Sequence, residues 1–206
     1  MQKADIPKKT IYRLSIYNRA LQRLRENGVG TVSSEALATA AGVKPTQLRK
    51  DLTYFGQFGT RGLGYNVEQL TKTIGDVLGH NRLQPVILIG VGNLGSALLR
   101  YSGFRKEGFE VVAAFDAAPN AARTAESSVP VFQMEKLPAF VKKNQVKMAI
   151  LTVPVTAAQS VANHIVKAGI QAILNFSPTV LEVPEHVVVN SVDLAVELEN
   201  LSYFIR

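Results

Sequence analysis

Apolar residues recur at helical spacing through the first eighty positions, and in short continuous runs after residue 85. From Lys8 to Asn27 the apolar stripe is Ile11, Leu14, Tyr17, Leu21 and Leu24, with Pro7 before it and Gly28 after it. That spacing and those flanks predict an amphipathic helix. Ser33 or Ser34 can cap a short helix over Glu35–Ala41, which has an acid in its first turn. Gly42-Val43 then turns the chain, and Pro45 suits the first position of a helix running to about Phe55. Helix, tight turn, helix is the layout of a helix-turn-helix. Gly56, Gly59, Gly62 and Gly64 crowd the next ten residues, a density that suits a tight hairpin, here read as a wing. Asn66 can cap a further helix with apolar positions Leu70, Ile74, Val77 and Leu78, and the polar stretch Gly79–Pro85 reads as a linker.

After the linker the pattern changes. Strand-like runs at Val86–Ile89, Val111–Phe115, Met148–Val153, Ala172–Leu174 and Val187–Val189 alternate with helical stretches at 93–106, 134–143 and 156–168. Alternating βα units predict a parallel sheet covered on both faces. No internal repeat or low-complexity tract interrupts them.

Charge divides the chain at the same place. The first 80 residues hold 12 Lys or Arg against 6 Asp or Glu, whereas residues 81–206 hold 11 against 10. Nearly all of the +7 net charge therefore sits on the helix-turn-helix, which points to an acidic polymer such as DNA as its partner. The chain has no cysteine, which excludes disulfides, thiolate metal sites and thiol redox chemistry; no metal is expected. No apolar run reaches the roughly 18 residues of a membrane helix, and no apolar signal core follows the polar N-terminus. The expectation is a cytoplasmic protein with no membrane partner.

Gly90-Val91-Gly92-Asn93-Leu94-Gly95 is a G-x-G-x-x-G following the apolar run VILI and opening a helix, the context in which the motif binds a dinucleotide. Gly90 permits the tight turn, Gly92 lets backbone approach a pyrophosphate, and Gly95 lets helix pack on strand. The second strand ends at Asp116, 21 residues after Gly95, where a carboxylate can hold the ribose hydroxyls. It would repel a 2′-phosphate, so NAD⁺ or NADH is favoured over the phosphorylated cofactors. The predicted fold class is α/β: an N-terminal winged helix-turn-helix domain over 1–80, a Rossmann-like doubly wound parallel sheet over 85–191 and a C-terminal helix over 192–206.

An enzyme of this class needs a second domain to hold its substrate, and here the remaining chain reads as a DNA reader. His80, His164 and His186 fall in the linker, mid-helix and before the last strand, away from the crevice where a general acid or base belongs. No catalytic residue and no enzymatic activity are expected. On a helix at about 100° per residue, Leu48, Leu52 and Phe55 share the core face. Thr46, Lys50 and Thr53 lie opposite, with Tyr54 beside them and Gln47 and Arg49 flanking. With Lys44 at the helix start and Arg61 in the wing, these residues supply donors for phosphates and base edges. Asp51 falls at the core edge, where it can orient a basic neighbour instead of touching DNA. From the residues alone three other classes stay open: a small NAD-dependent oxidoreductase, a CoA- or nucleotide-binding regulatory protein, and an architectural DNA-binding protein indifferent to the cofactor.

Six stretches, in this order, resemble the Rex family of redox-sensing transcriptional repressors: Arg49-Lys50-Asp51-Leu52-Thr53-Tyr54-Phe55-Gly56, Gly59-Thr60-Arg61-Gly62-Leu63-Gly64-Tyr65, Ile89-Gly90-Val91-Gly92-Asn93-Leu94-Gly95, Ile150-Leu151-Thr152-Val153-Pro154, Ile173-Leu174-Asn175-Phe176 and Asp193-Leu194-Ala195-Val196-Glu197-Leu198. Thr53 stands where the family pattern has Ser and keeps the hydroxyl. The resemblance implies a homodimer on palindromic double-stranded operator DNA, released when NADH binds, with a C-terminal helix swapped between subunits. It implies that Tyr101, on the helix after the glycine loop, lies near the nicotinamide, and that Arg19, Tyr101 and Asp193 respond to cofactor redox state. It also implies that Thr152, Val153, Pro154, Asn175 and Phe176 line the crevice. In the last helix Leu194, Leu198, Leu201 and Ile205 make an apolar stripe that fits burial against a partner or against its own domain.

Overall fold

The computed structural model describes residues 6–59, 63–119 and 127–205. It divides into two compact units, Met1–Arg82 and Leu83–Arg206.

Unit 1 consists of α1 (Lys8–Glu26), β1 (Thr31–Val32), α2 (Ser34–Ala40), α3 (Pro45–Thr53), β2 (Tyr65–Asn66) and α4 (Val67–Leu78). Its starts and stops follow the side chains. Ser33 Oγ accepts from the Ala36 N–H at 3.1 Å, and Asn66 Oδ1 accepts from the Gln69 N–H at 2.8 Å. Each satisfies an amide that the first turn leaves unpaired. Pro45 opens α3, and Gly79 closes α4 in the left-handed conformation. Leu14, Tyr17 and Leu21 from α1, Leu37 from α2, Leu48 and Leu52 from α3, and Leu70 and Ile74 from α4 form one core. The glycine-rich loop differs from a self-paired hairpin. Among the described residues its end, β2, pairs antiparallel with β1, Thr31 opposite Asn66 and Val32 opposite Tyr65. Gly64 packs so closely on the Val32 carbonyl that any side chain there would collide. Arg61 lies outside the described residues.

One charged group is buried in this core. Asp51, 1% exposed, sits on the inner side of α3. Its Oδ2 accepts from Arg13 Nε and from the Tyr17 hydroxyl at 2.7 Å. Its Oδ1 accepts from Arg13 Nη2 at 2.7 Å, Gln47 Nε2 at 3.0 Å and the Thr10 hydroxyl at 3.1 Å. Burial alone would raise this carboxyl's pKa, but the hydrogen bonds from Arg13, Tyr17, Gln47 and Thr10 outweigh it and hold it below the ordinary 3.8. Burial and the bond to Asp51 push the Tyr17 hydroxyl the other way, above its ordinary 10.0.

Unit 2 is a three-layer α/β domain. Its six strands are β3 (Gln84–Ile89), β4 (Phe109–Asp116), β5 (Val131–Gln133), β6 (Met148–Leu151), β7 (Ala172–Asn175) and β8 (Val188–Ser191). They lie in the order β5-β4-β3-β6-β7-β8, and every pairing is parallel. The chain thus starts in mid-sheet, winds outward one way, and returns to wind the other. This is the dinucleotide-fold order, whose crevice opens at the strand C-termini where the direction reverses. Alternate residues of β3 serve opposite layers. Ile87 and Ile89 pack with α7 (Leu137–Asn144) and α8 (Val155–Lys167), while Val86 and Leu88 pack with Leu99 of α5 (Asn93–Leu99). β5 and the 3₁₀ turn Met134–Lys136 after it lack a strong sequence signature, because a three-residue edge strand shows no alternation.

The single helix expected over 93–106 is two: α5 and α6 (Gly103–Lys106). Tyr101 lies between them, after α5 has closed with the Arg100 and Tyr101 N–H groups on Ala97 and Leu98 carbonyls. Gly103 weakens helix continuation by about 1 kcal/mol relative to alanine. The last helix, α9 (Leu194–Tyr203), is capped by Asp193, whose Oδ1 accepts from the Ala195 and Val196 N–H groups at 2.9 and 3.3 Å. No α9 residue is buried. Leu194, Leu198, Leu201 and Ile205 are 60–85% exposed, so its apolar stripe is not docked on its own domain. Among the described residues no helix is long and apolar enough to cross a membrane.

The Asp51 cluster sets the pH range of unit 1. A depressed carboxyl pKa stabilises the fold above its unfolded value and loses that contribution as pH falls through the folded value. A raised tyrosine pKa stabilises below about 10 and loses its contribution above it. Hydrogen-exchange protection on α1 and α3, taken relative to the intrinsic exchange rate at each pH, should therefore fall below about pH 4 and again above about pH 10. Asp51→Ala should destabilise unit 1 by about 3–5 kcal/mol, since it leaves Arg13 without its counter-charge; a thermal melt of the full chain checks it.

Candidate functional site

The glycine loop sits at the C-terminal end of β3, against the start of the β6–α8 connection. Gly90 has φ +94°, a left-handed conformation that favours glycine. Its N–H donates to the Phe115 carbonyl at 2.8 Å, and its carbonyl accepts from the Thr152 hydroxyl at 2.6 Å. The Thr152 N–H donates to the Ile89 carbonyl at 2.9 Å. A Cβ on Gly90 would meet Val153 Cγ1 at 2.8 Å. One on Gly95 would drive into the Gly90 carbonyl oxygen, so α5 lies directly on the loop only because residue 95 has no side chain. Gly92 differs from both: a Cβ there meets nothing within 4 Å. Two of the three glycines are required by protein packing. The third keeps open a space that the protein itself does not fill, as close approach of a pyrophosphate requires.

Asp116 closes the other side. Its Oδ2 accepts from the Val91 N–H at 2.6 Å and its Oδ1 from the Ala118 N–H at 2.8 Å. The carboxylate thereby fixes the loop to the end of β4 and stays half-exposed, with lone pairs left for hydroxyl donors. Val91 is buried, and Asn93 and Leu94 are exposed at the first turn of α5.

Val153 and Phe176 are half-buried and Pro154 exposed, after the C-terminal ends of β6 and β7. Asn175 is fully buried. Its Nδ2 donates to the Ser177 and Thr179 carbonyls at 3.0 and 2.9 Å, and its Oδ1 accepts from the Ser177 N–H at 2.9 Å. Its amide is spent on the turn that shapes this edge. Ser177, which sequence reasoning passed over, continues the link: its hydroxyl donates to the Val153 carbonyl at 2.6 Å. Tyr101 is 59% exposed and edge-on to Phe104, 5.0 Å between ring centroids. Gly103 makes that position possible, since a Cβ there would overlap the Tyr101 ring.

In unit 1 the predicted reading face divides. Lys44, Thr46, Lys50 and Thr53 are exposed, and the Thr53 hydroxyl donates to the Lys50 carbonyl at 2.7 Å. Arg49 Nη1 donates to Ser34 Oγ at 2.9 Å, tying α3 to α2. Gln47 and Tyr54 are half-buried, Gln47 through its bond to Asp51. The basic neighbour expected for Asp51 is Arg13, 38 residues away in the chain. Arg19 is exposed on α1. His80 is in unit 1, with Nδ1 3.3 Å from Asn18 Nδ2, and His164 lies in the last turn of α8. Among the described residues no three His, Asp or Glu side chains gather as metal ligands.

Two family models match the chain: a "CoA binding domain" over residues 81–179 and a "Putative DNA-binding protein N-terminus" over residues 5–53. A protein of Pelotomaculum thermopropionicum is 46% identical over 98% of this chain and 95% of its own length. One of Carboxydothermus hydrogenoformans is 47% identical over 100% of this chain and 99% of its own. Both are described as the redox-sensing transcriptional repressor Rex. The solved structure of RSP in complex with β-NAD⁺ and operator DNA superposes with a TM-score of 0.87 at 37% identity, covering 97% of this chain and 92% of that one. RSP in complex with β-NADH gives 0.85 at 36% identity, covering 98% and 94%.

The glycines separate folding from binding. Gly92→Ala should leave the melting temperature unchanged and weaken dinucleotide binding at least tenfold, or about 1.4 kcal/mol. Gly95→Ala should cost about 1–3 kcal/mol of stability through overpacking. Calorimetric titration beside a thermal melt reads both.

Proposed function

The chain belongs to the Rex family of redox-sensing transcriptional repressors, and on that footing we propose that it holds operator DNA as a homodimer and lets go when NADH occupies the crevice of unit 2. What carries the reading is the combination in one chain. A basic helix-turn-helix precedes a parallel sheet whose switch point bears the Gly90–Gly95 loop locked to Asp116. The family acts by binding, not by turnover, and no enzymatic role is assigned. With both DNA and the NADH pool as its ligands, the protein works in the cytoplasm.

In this reading residues 1–80 form the DNA-binding domain, 85–191 the cofactor domain and 192–206 the dimerisation helix. Gly92 and the N–H groups of Asn93, Leu94 and Gly95 meet the pyrophosphate. Asp116 takes the adenosine ribose hydroxyls while still holding Val91. Thr152, Val153, Pro154, Asn175 and Phe176 shape the nicotinamide end. The cofactor supplies the redox signal: its nicotinamide is flat and cationic when oxidised, puckered and neutral when reduced. Everything that the glycine loop and Asp116 touch is common to both forms, so discrimination falls to Tyr101, Arg19 and Asp193. The exposed stripe of α9 is the surface that a second copy covers. Lys44, Thr46, Gln47, Arg49, Lys50, Thr53, Tyr54 and the wing residue Arg61 face DNA.

The match of residues 81–179 to a CoA-binding model favours one second reading, CoA as the ligand. Asp116 separates the two. Asp116→Ala should weaken NADH binding roughly 10- to 100-fold by loss of charge-assisted hydrogen bonds, with no such selective loss for a CoA site.

Binding linkage makes the main prediction reciprocal. In fluorescence anisotropy at fixed salt, NADH should release a palindromic operator and NAD⁺ should not. Operator DNA should weaken NADH binding by the same factor by which NADH weakens operator binding. An NADH affinity indifferent to the operator would overturn the mechanism.

A further inference from the structure

Gln47 is held by a group that can only accept. Its Nε2 donates to Asp51 Oδ1 at 3.0 Å, and Asp51 is a buried carboxylate with Arg13 paired to it. An amide can usually turn over, exchanging its oxygen and nitrogen. Here the flip would set the amide oxygen against a carboxylate oxygen, so only one orientation is allowed. One Nε2 proton is spent on Asp51. The second proton and Oε1 remain, and among the described residues nothing donates to Oε1, which is not buried. Gln47 lies in the first turn of α3, behind Lys44 and Pro45, and N-terminal residues of a recognition helix are those that contact base edges. A fixed acceptor beside a fixed donor complements adenine in the major groove, where N6 donates and N7 accepts. Guanine presents two acceptors there, which would face Oε1 with another acceptor.

Resting on the operator-binding reading above, we propose that Gln47 is a specificity-determining residue that reads one adenine in each operator half-site, with Asp51 as the positioning residue that sets its amide. Lys44 and Lys50 then supply affinity that is the same on every sequence, while Gln47 supplies a preference for one base. The buried carboxylate acts on DNA without touching it: the Asp51 cluster determines which atoms of Gln47 face the groove.

The test uses the full-length protein and an operator that it selects from random duplexes. Each adenine of a half-site is replaced singly by 7-deazapurine, which lacks both N7 and the N6 amino group, and binding is read by anisotropy at fixed salt. At one adenine per half-site the replacement should weaken wild-type binding about 5- to 150-fold. Gln47→Met keeps the length and removes the amide. In that variant the replacement at the same adenine should cost no more than it does elsewhere, and the salt dependence of binding should not change. Asp51→Asn can itself donate to Gln47 and so release the flip; it too should lose the adenine preference while binding DNA. Where that variant does not fold, the Gln47→Met comparison decides alone. If Gln47→Met weakens binding equally on every duplex, or keeps its sensitivity at that adenine, the assignment falls and the repressor reading stands. If the wild-type protein selects no duplex, the repressor reading falls and takes the assignment with it.

Discussion

A charged carboxylate that is 1% exposed must have its oxygens satisfied, because the interior offers it no water. Unit 1 is organised around that demand at Asp51. The donors come from two helices: Thr10, Arg13 and Tyr17 from α1 and Gln47 from α3 itself. The spacing of the α1 donors, three and then four residues apart, places them on one face of that helix. Since all of them must reach the same two oxygens, the crossing of α1 over α3 has little freedom. Apolar packing alone, in the core that Leu14, Leu48 and Leu52 share, would tolerate small slippage. A bidentate guanidinium with a phenol and a hydroxyl does not, because each bond depends on direction as well as distance.

Unit 2 solves a different problem, that of bringing backbone to backbone. The Gly90 carbonyl accepts from the Thr152 hydroxyl and leaves no room for a Cβ on Gly95. The loop cannot relax toward either neighbour, and Asp116 draws its Val91 amide toward β4. The result is a rim around Gly92 held in place by contacts within the protein itself. A preformed rim reduces the ordering entropy that binding must otherwise overcome.

Much of this was legible in the sequence because it rests on local rules. The G-x-G-x-x-G, the strand before it and the acid at the end of the next strand have fixed spacings. Capping by Ser33 and Asn66 needs only neighbours a few residues away. Asp51 was legible in half: its place at the core edge follows from helical phase, but its partner Arg13 lies in another helix and no periodicity names it. The sign that could have found it was Tyr17, a residue with a polar tip within an otherwise aliphatic stripe. Phase misled at 93–106, where apolar spacing continues through Tyr101-Ser102-Gly103 although the backbone does not. β5 escaped for want of length. The saturation of Asn175 by its own turn is a tertiary fact that the sequence shows only as a polar residue at a strand end.

The last helix has a consequence for dosage. Ten residues form only a marginal helix in water without a surface to lie on, and α9 buries none of its side chains in its own chain. The segment is stable to the extent that something covers it. If that cover is a second copy, the share of chains with an ordered α9 rises in proportion to the monomer concentration while pairs are few. A cell making few copies would then hold chains in which α9 is frayed and apolar, the kind of segment that proteases attack first. Such a protein would set a floor on its own expression: below the level at which pairs form, copies are removed, and above it they protect one another.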